Sequence, residues 1–315
     1  MCYQHRAMTP PFVAVLMAGL PMLASAAGFS GFDQFSGASK DSVRWGPDLA
    51  EGTGQLIQTN GRLQFVTSAA AGGDEFMAWP WQVGSAPWER DWSAQLDVQV
   101  PFIPLGPGFT AVGMGVAVIN SASSDDVFSV GLEQVRSGGP QMRNFLNAID
   151  IQGGDTMETS VSAPFESGSV QIRWSATNQT LSAWWDGTGG ADGYTWTLLN
   201  TFNPALPSTW NMGPSNSFAV VIFGTAEDTV VLLTNQVLAD NFYLQDETRT
   251  PLRIDLSATN AILSWPGEAV SFQLQSSLAV TGIWANVNQT SSVVNERREV
   301  TLPASGNQFF RLKKD

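Results

Sequence analysis

The sequence predicts an all-β protein, an antiparallel β-sandwich followed by a small β-rich C-terminal module, and three observations carry that prediction. From about residue 30 to 245, short apolar runs alternate with polar positions at a period of two. Clusters of Gly, Pro, Asn, Asp and Ser separate the runs, as turns require. No stretch sustains helical periodicity. A period of two sends alternate side chains to opposite faces of a strand, so each run has one face for a core and one for solvent.

In chain order, the first segment reads as an export signal. Arg6 precedes the apolar run 12–23, which is too short to cross a bilayer, and Ala24 and Ala26 supply the small residues a signal peptidase needs. Residues 1–26 are therefore expected to be a signal peptide removed before Ala27, against the competing reading of a buried N-terminal helix. No second apolar run of membrane length follows, which predicts a soluble protein outside the cytoplasm, secreted or held in the periplasm or at the cell surface. Among the strands, Ala94, Leu96, Val98 and Val100 share a face opposite Gln95, Asp97 and Gln99. Phe128, Val130 and Leu132 lie opposite Ser129, Gly131 and Glu133. Val170, Ile172 and Trp174 form the apolar face of a strand that also carries Gln171 and Arg173. The turn 176–180 then leads into Leu181, Ala183 and Trp185, opposite Ser182, Trp184 and Asp186, which completes a hairpin. Phe218 to Phe223 is almost continuously apolar, as a central strand should be, and the glycine-rich segment 187–193 is a loop. The polar stretch Gln245 to Pro251 closes on proline and reads as a linker. The expected organisation is thus a large domain over 27–245, a linker over 246–251 and a small module over 252–315. Strand-like runs at 261–265, 271–275 and 309–312 fill the small module, which is marginal in size for a fold without disulfides.

Removing the signal has chemical consequences. The single cysteine, Cys2, and the single histidine, His5, both lie within it. The mature chain then has no Ser-His-Asp or Cys-His nucleophile, no histidine base, no disulfide, and no cysteine or histidine site for zinc. Carboxylates, Tyr, Lys and oxygen-ligated ions such as calcium remain. Without Arg6 the basic residues number 15 − 1 = 14 against 28 acidic ones, a net charge of 14 − 28 = −14. Such a surface disfavours nucleic acid and anionic membranes and suits a neutral polymer such as a polysaccharide.

Phe32-Asp-Gln-Phe-Ser-Gly37, Trp45-Gly46 and Asn60-Gly-Arg-Leu-Gln-Phe65, together with Val170-Gln-Ile-Arg-Trp174, Leu181-Ser-Ala-Trp-Trp-Asp-Gly187 and Ala239-Asp-Asn-Phe-Tyr243, resemble bacterial concanavalin A-like (laminin-G-like) lectin and glucanase jelly rolls. The resemblance covers about two thirds of the chain and implies a jelly-roll sandwich. It is weak for function, because the fold hosts lectins, glycanases, lyases and structural modules alike. Leu263-Ser-Trp-Pro266, Phe272-Gln-Leu-Gln-Ser-Ser277, Trp284 and Gln308-Phe-Phe-Arg-Leu312 resemble a small fibronectin-III-like module, which implies attachment or spacing. The glucanase branch of the larger fold carries its acids as Glu-x-Asp-x-x-Glu on one strand, and that motif is absent. The nearest acidic cluster, Asp150, Asp155 and Glu158, is interrupted by Gly153-Gly154 and reads as a turn.

If the alternating strands are neighbours, their polar faces bring Asp97, Glu133, Arg173 and Trp184 into one groove, where an aromatic ring stacks on a sugar and charged groups take its hydroxyls. Ion pairing on an ordinary solvated sheet face is the competing reading. Trp79 and Trp81 are expected on the groove's rim, one of them exposed, because Pro80 should keep that segment out of a central strand. The resemblance implies calcium, at most structural, where the first and last strands meet, which would draw Asp240 and Asp33; the loop 189–193 is a weaker candidate. The expected function is non-catalytic recognition of an extracellular polysaccharide, requiring no cofactor. The alternatives are a carboxylate-dependent hydrolase or lyase, and a structural or adhesion protein of the cell surface.

Overall fold

A computed structural model describes residues 29–314 apart from 69–73, 106–108, 138, 153, 155, 190–193, 228–229, 248–251, 258, 267–271, 280, 295–296 and 305–307. The expected signal peptide and most of the expected linker lie outside the described residues. The chain divides into two compact units, the larger carried by residues up to 189 and 195–246, the smaller beginning in the main at Glu247.

The larger unit is an antiparallel β-sandwich. Its first sheet runs in the order β14 (Thr197–Phe202), β13 (Thr180–Asp186), β12 (Ser167–Ser175), β7 (Trp92–Gln99), β16 (Val237–Asp246), β4 (Arg62–Val66) and β3 (Gln55–Thr59), with β1 (Gly31–Asp33) also paired to β16. The second runs β11 (Met157–Ser162), β10 (Met142–Asp150), β9 (Ser123–Ser137), β8 (Phe109–Asn120), β15 (Ser217–Ala226), β5 (Glu75–Pro80) and β2 (Leu49–Glu51), with β6 (Ala86–Pro87) against β15. The alternation of period two decides which side chains meet between the sheets. Trp92, Ala94, Leu96, Val170, Ile172 and Trp174 come from the first sheet, and Val116, Val130, Leu132, Phe218 and Ile222 from the second. Aromatic rings bridge them: Trp174 lies 4.9 Å from Phe218, and Phe145 stacks at 4.8 Å on Trp185.

The hairpin expected from 170–186 forms with the expected facing. Ser175 pairs with Thr180, and Gln179 makes the reversal with φ at 50°. The apolar run at 218–223 is central, between β8 and β5. β16 continues to Asp246, which pairs with Trp92 and accepts an ion pair from Arg90 at 2.7 Å, so this strand reaches one residue into the expected linker.

The smaller unit has two sheets, β17 (Arg253–Ser257), β18 (Asn260–Pro266), β22 (Arg297–Pro303) and β21 (Ser292–Val294) in the order 17-18-22-21, and β20 (Ala285–Asn286), β19 (Phe272–Ser277) and β23 (Phe309–Lys314) in the order 20-19-23. Leu263, Trp265, Leu274, Val287, Val300 and Leu302 make its core.

Candidate functional site

The outward face of the first sheet gathers three of the residues singled out in the sequence. Asp97 on β7 is paired with Ser169 on β12, and Gln171 on β12 lies between Gln95 on β7 and Trp184 on β13. Polar side chains at successive cross-strand positions satisfy one another. Asp97 accepts from the Ser169 hydroxyl and, at 2.9 Å, from Asn241 Nδ2. Arg173 donates to Gln171, and its guanidinium lies 4.6 Å over the Trp184 ring and 5.9 Å over Trp196. Trp184 Nε1 donates to Ser182 Oγ at 2.8 Å. The indole that was expected to hold a sugar thus carries a guanidinium at its face and has its N–H engaged.

Glu133 is not part of this cluster. It sits on β9, in the other sheet, facing away from the sandwich core, because strands 92–99 and 123–137 belong to opposite layers. The expectation of one groove for Asp97, Glu133, Arg173 and Trp184 is corrected accordingly. Trp79 and Trp81 are corrected as well, since they are 2% and 6% exposed and belong to the core. Pro80 does not exclude its segment from the sheet. It ends β5, opposite Val221, which leaves Trp79 and Trp81 pointing inward on either side of it. Trp81 packs at 5.0 Å on Trp45 and donates its Nε1 to the Phe29 carbonyl.

Around Glu133 the second sheet forms a shallow trough. Gly113 pairs with Glu133 and Gly115 with Gly131, so three of these four neighbouring positions present no side chain beyond hydrogen and Glu133 is the fourth. A Cβ at Gly115 would come within 2.2 Å of the Val130 carbonyl and 3.0 Å of the Phe223 ring, so the close approach of β8 and β9 requires glycine there. Phe223 walls one side, and Glu158 and Glu227 stand with Glu133 among the lining residues. The space in the trough is about 50 Å³, room for one hydroxyl or hydroxymethyl group, so that a larger ligand would lie across it. Burial pushes the Glu133 carboxyl up to about 8, and the charges of Glu158 and Glu227 add to the effect. At neutral pH that carboxyl is protonated, both donor and acceptor in an apolar setting.

Sequence reading missed this trough because its signal is one of absence: glycines at 113 and 115 in an apolar strand and at 131 in an alternating one. Of the acidic cluster Asp150, Asp155 and Glu158, Asp155 lies outside the described residues. Asp150 ends β10, held up to about 6 by burial against a hydrogen bond from Thr156 that lowers it, while Glu158 lies on β11.

The first and last strands of the large unit do meet, with Asp33 opposite Phe242. Asp33 is nonetheless committed elsewhere. Its Oδ2 accepts from Trp45 Nε1 and its Oδ1 from the Phe35 N–H, both at 2.8 Å, with Arg44 at 3.6 Å, so it does not suit a calcium ligand. Asp240 lies opposite Asp97. Burial raises its pKa, the Asn241 N–H and Arg62 lower it, and the charges of Asp97 and Asp33 raise it further. Among the described residues no three acidic side chains converge closely enough for a metal ion. Of the weaker candidate loop, only Gly189 is described.

No family model matches the chain, and no curated protein matches it. Among solved structures, it is similar to a GH43 protein, BlXynB, from Bacillus licheniformis, at 12% identity and a TM-score of 0.41 over 68% of this chain. It is similar to an endo-1,3-beta-glucanase from Streptomyces sioyaensis at 11% identity, with a TM-score of 0.45 over 70% of this chain and 98% of that one. It is also similar to lectin II from Ulex europaeus at 11% identity, with a TM-score of 0.41 over 64% of this chain and 95% of that one. The match spans 39% of the GH43 protein's length. At these identities and scores the ligand and activity of this chain have to be argued from its own surfaces.

Proposed function

We propose that the protein is exported and binds a polysaccharide without cleaving it, on a concanavalin A-like sandwich, with the trough at Glu133 as its main contact. The observation that carries this reading is the combination of a side-chain-free glycine floor, a phenylalanine wall and a buried, neutral carboxyl. A pyranose offers apolar C–H faces to the first two and a hydroxyl to the third. The fibronectin-III-like reading of the smaller unit gives it a spacing or attachment role. Calcium enters at most as a structural ion near Asp240.

One observation favours a second reading, a carboxylate-dependent hydrolase. A glutamic acid protonated near neutrality beside two further glutamates has the acid and base partners that glycoside cleavage uses. Glu133→Gln separates the two. The amide copies the neutral carboxyl as a hydrogen-bonding group but cannot give up a proton. The test is binding of the chain from Ala27 to insoluble and soluble polysaccharides, with released reducing ends measured in parallel. Binding retained in the variant, with no release from either protein, is the expected result. Release by the wild type that the variant loses establishes the hydrolase, and no binding by either protein sinks both readings.

A further inference from the structure

The smaller unit differs in charge from the rest of the chain. Residues 252–315 carry six basic side chains and five acidic ones, which leaves 15 − 6 = 9 basic against 28 − 5 = 23 acidic elsewhere. Two of the six stand on one face of the sheet β20-β19-β23. There Leu274 and Leu312 pair with each other and pack on the unit's core, so the positions between them turn outward. Gln275 therefore shares the outer face with its cross-strand partners, Asn286 on β20 and Arg311 on β23. Phe309 and Lys313 lie two positions to either side of Arg311 on the same face, about 7 Å away along the strand. Arg311, Lys313 and Asn286 are exposed, as is the Phe309 ring. No acidic residue occupies an outward position of these three strands.

The protein orients Arg311 without using up its donors. Its guanidinium lies 4.4 Å over the Trp284 ring, and its Nε donates to Gln275 Oε1 at 3.0 Å. Gln275, only 7% exposed, is fixed in turn by its Nε2, which donates to Asn286 Oδ1 at 2.9 Å. The stacking and this relay set the plane of the guanidinium. Its terminal nitrogens make no hydrogen bond or ion pair among the described residues. A fork held in one plane meets a carboxylate with two parallel bonds and loses little side-chain freedom in doing so. Lys313 adds a second positive charge one repeat further along the strand. The Phe309 ring offers a surface for the C–H face of a sugar, and the Asn286 amide a donor for a hydroxyl. Two cations fall short of the cluster of about four to eight that holds a protein to an anionic membrane.

We propose that the outer face of β20-β19-β23 binds a polysaccharide bearing carboxylates, with Arg311 as the oriented anion fork and Lys313 as the second charge. The attachment role of the smaller unit then has a chemical basis, separate from the trough on the larger one and opposite to it in the charge it accepts.

The test is affinity electrophoresis of the whole chain from Ala27 at low ionic strength, in gels containing polygalacturonate or its methyl ester, the same polymer with its charge removed. The expected result is retardation by polygalacturonate alone. Arg311→Lys, which keeps the charge but not the fork, weakens it about tenfold, and Lys313→Gln about threefold. Both side chains are exposed, so neither change disturbs the core. Arg253→Gln, at an arginine paired with Asp255 on β17, leaves the retardation as it is. No retardation by polygalacturonate, or equal retardation by the ester, overturns the proposal. So does an Arg311→Lys protein that binds like the wild type, or an Arg253→Gln protein as weak as Lys313→Gln, since either would make the effect one of overall charge. Co-sedimentation with vesicles of phosphatidylglycerol and phosphatidylcholine in place of retardation gives the face to a membrane and overturns it as well. Glu133→Gln leaves the retardation unchanged, so failure of this site is distinguishable from failure of the trough.

Discussion

Glu133 ties the stability of the large unit to pH in a way that can be worked from its surroundings. Its carboxyl titrates at about 8 in the folded protein against an ordinary value of 4.5, chiefly because it is buried, with Glu158 and Glu227 adding repulsion. Between those two values the unfolded chain ionises Glu133 and the folded chain does not. The stability associated with this residue is therefore full below about 4.5, falls as pH rises, and is gone above about 8. At about 1.4 kcal/mol for each pH unit the gap sets a ceiling of about 5 kcal/mol, and relaxation and water entry reduce it, so an effect of about 2–4 kcal/mol is expected. Glu133→Gln has no ionisation to suppress. The variant should match the wild type within about 0.5 kcal/mol at pH 4.5 and exceed it by about 2–4 kcal/mol at pH 8.5. Urea unfolding of both proteins across that pH range, followed by tryptophan fluorescence, measures the difference. Ten of the twelve tryptophans fall within the larger unit, so the signal reports mainly on it. Parallel stability curves for the two proteins would refute the assignment of a buried, neutral carboxyl, and with it the donor role in the trough.

Other perturbations test the neighbouring arguments. Gly115→Ala puts a methyl group against the Val130 carbonyl and the Phe223 ring, and should destabilise by about 2 kcal/mol or more in urea unfolding while abolishing polysaccharide retention; normal stability would mean that β8 and β9 are farther apart than described. Asp33→Ala strands the buried N–H groups of Trp45 and Phe35, an expected loss of about 2–4 kcal/mol by the same assay, and a loss under about 1 kcal/mol would contradict the buried network. Trp79→Ala should cost about 3–5 kcal/mol as a core cavity. Trp184→Ala should cost about 1 kcal/mol and spare polysaccharide binding; loss of binding in that variant, without loss of stability, would move the site to the first sheet. Added calcium should raise the melting temperature of chelator-treated protein by less than about 3 °C, since Asp33 is committed to N–H donors, and a larger rise would reveal a cage that the described carboxylates do not form.

What the sequence determined was the strand content and the facing of each strand. A period of two is a local property: once Leu96 and Ile172 point inward, Asp97 and Arg173 must point outward, and the hairpin through Thr180 has little freedom in register. What it did not determine was which outward faces share a sheet. Asp97 and Glu133 occupy equivalent positions in similar strands, yet long-range pairing sends β7 to one layer and β9 to the other, and no local pattern encodes that choice. The same limit explains Trp79 and Trp81. Proline rules out a ladder donor at one position, but whether its neighbours are exposed depends on what packs over them, here Trp45 and Phe242. The trough is further from sequence still, since it is made largely of missing side chains on paired strands. Local chemistry fixes how each strand presents its side chains; only the pairing of distant strands, driven by burial of the whole apolar surface, decides which of those side chains meet.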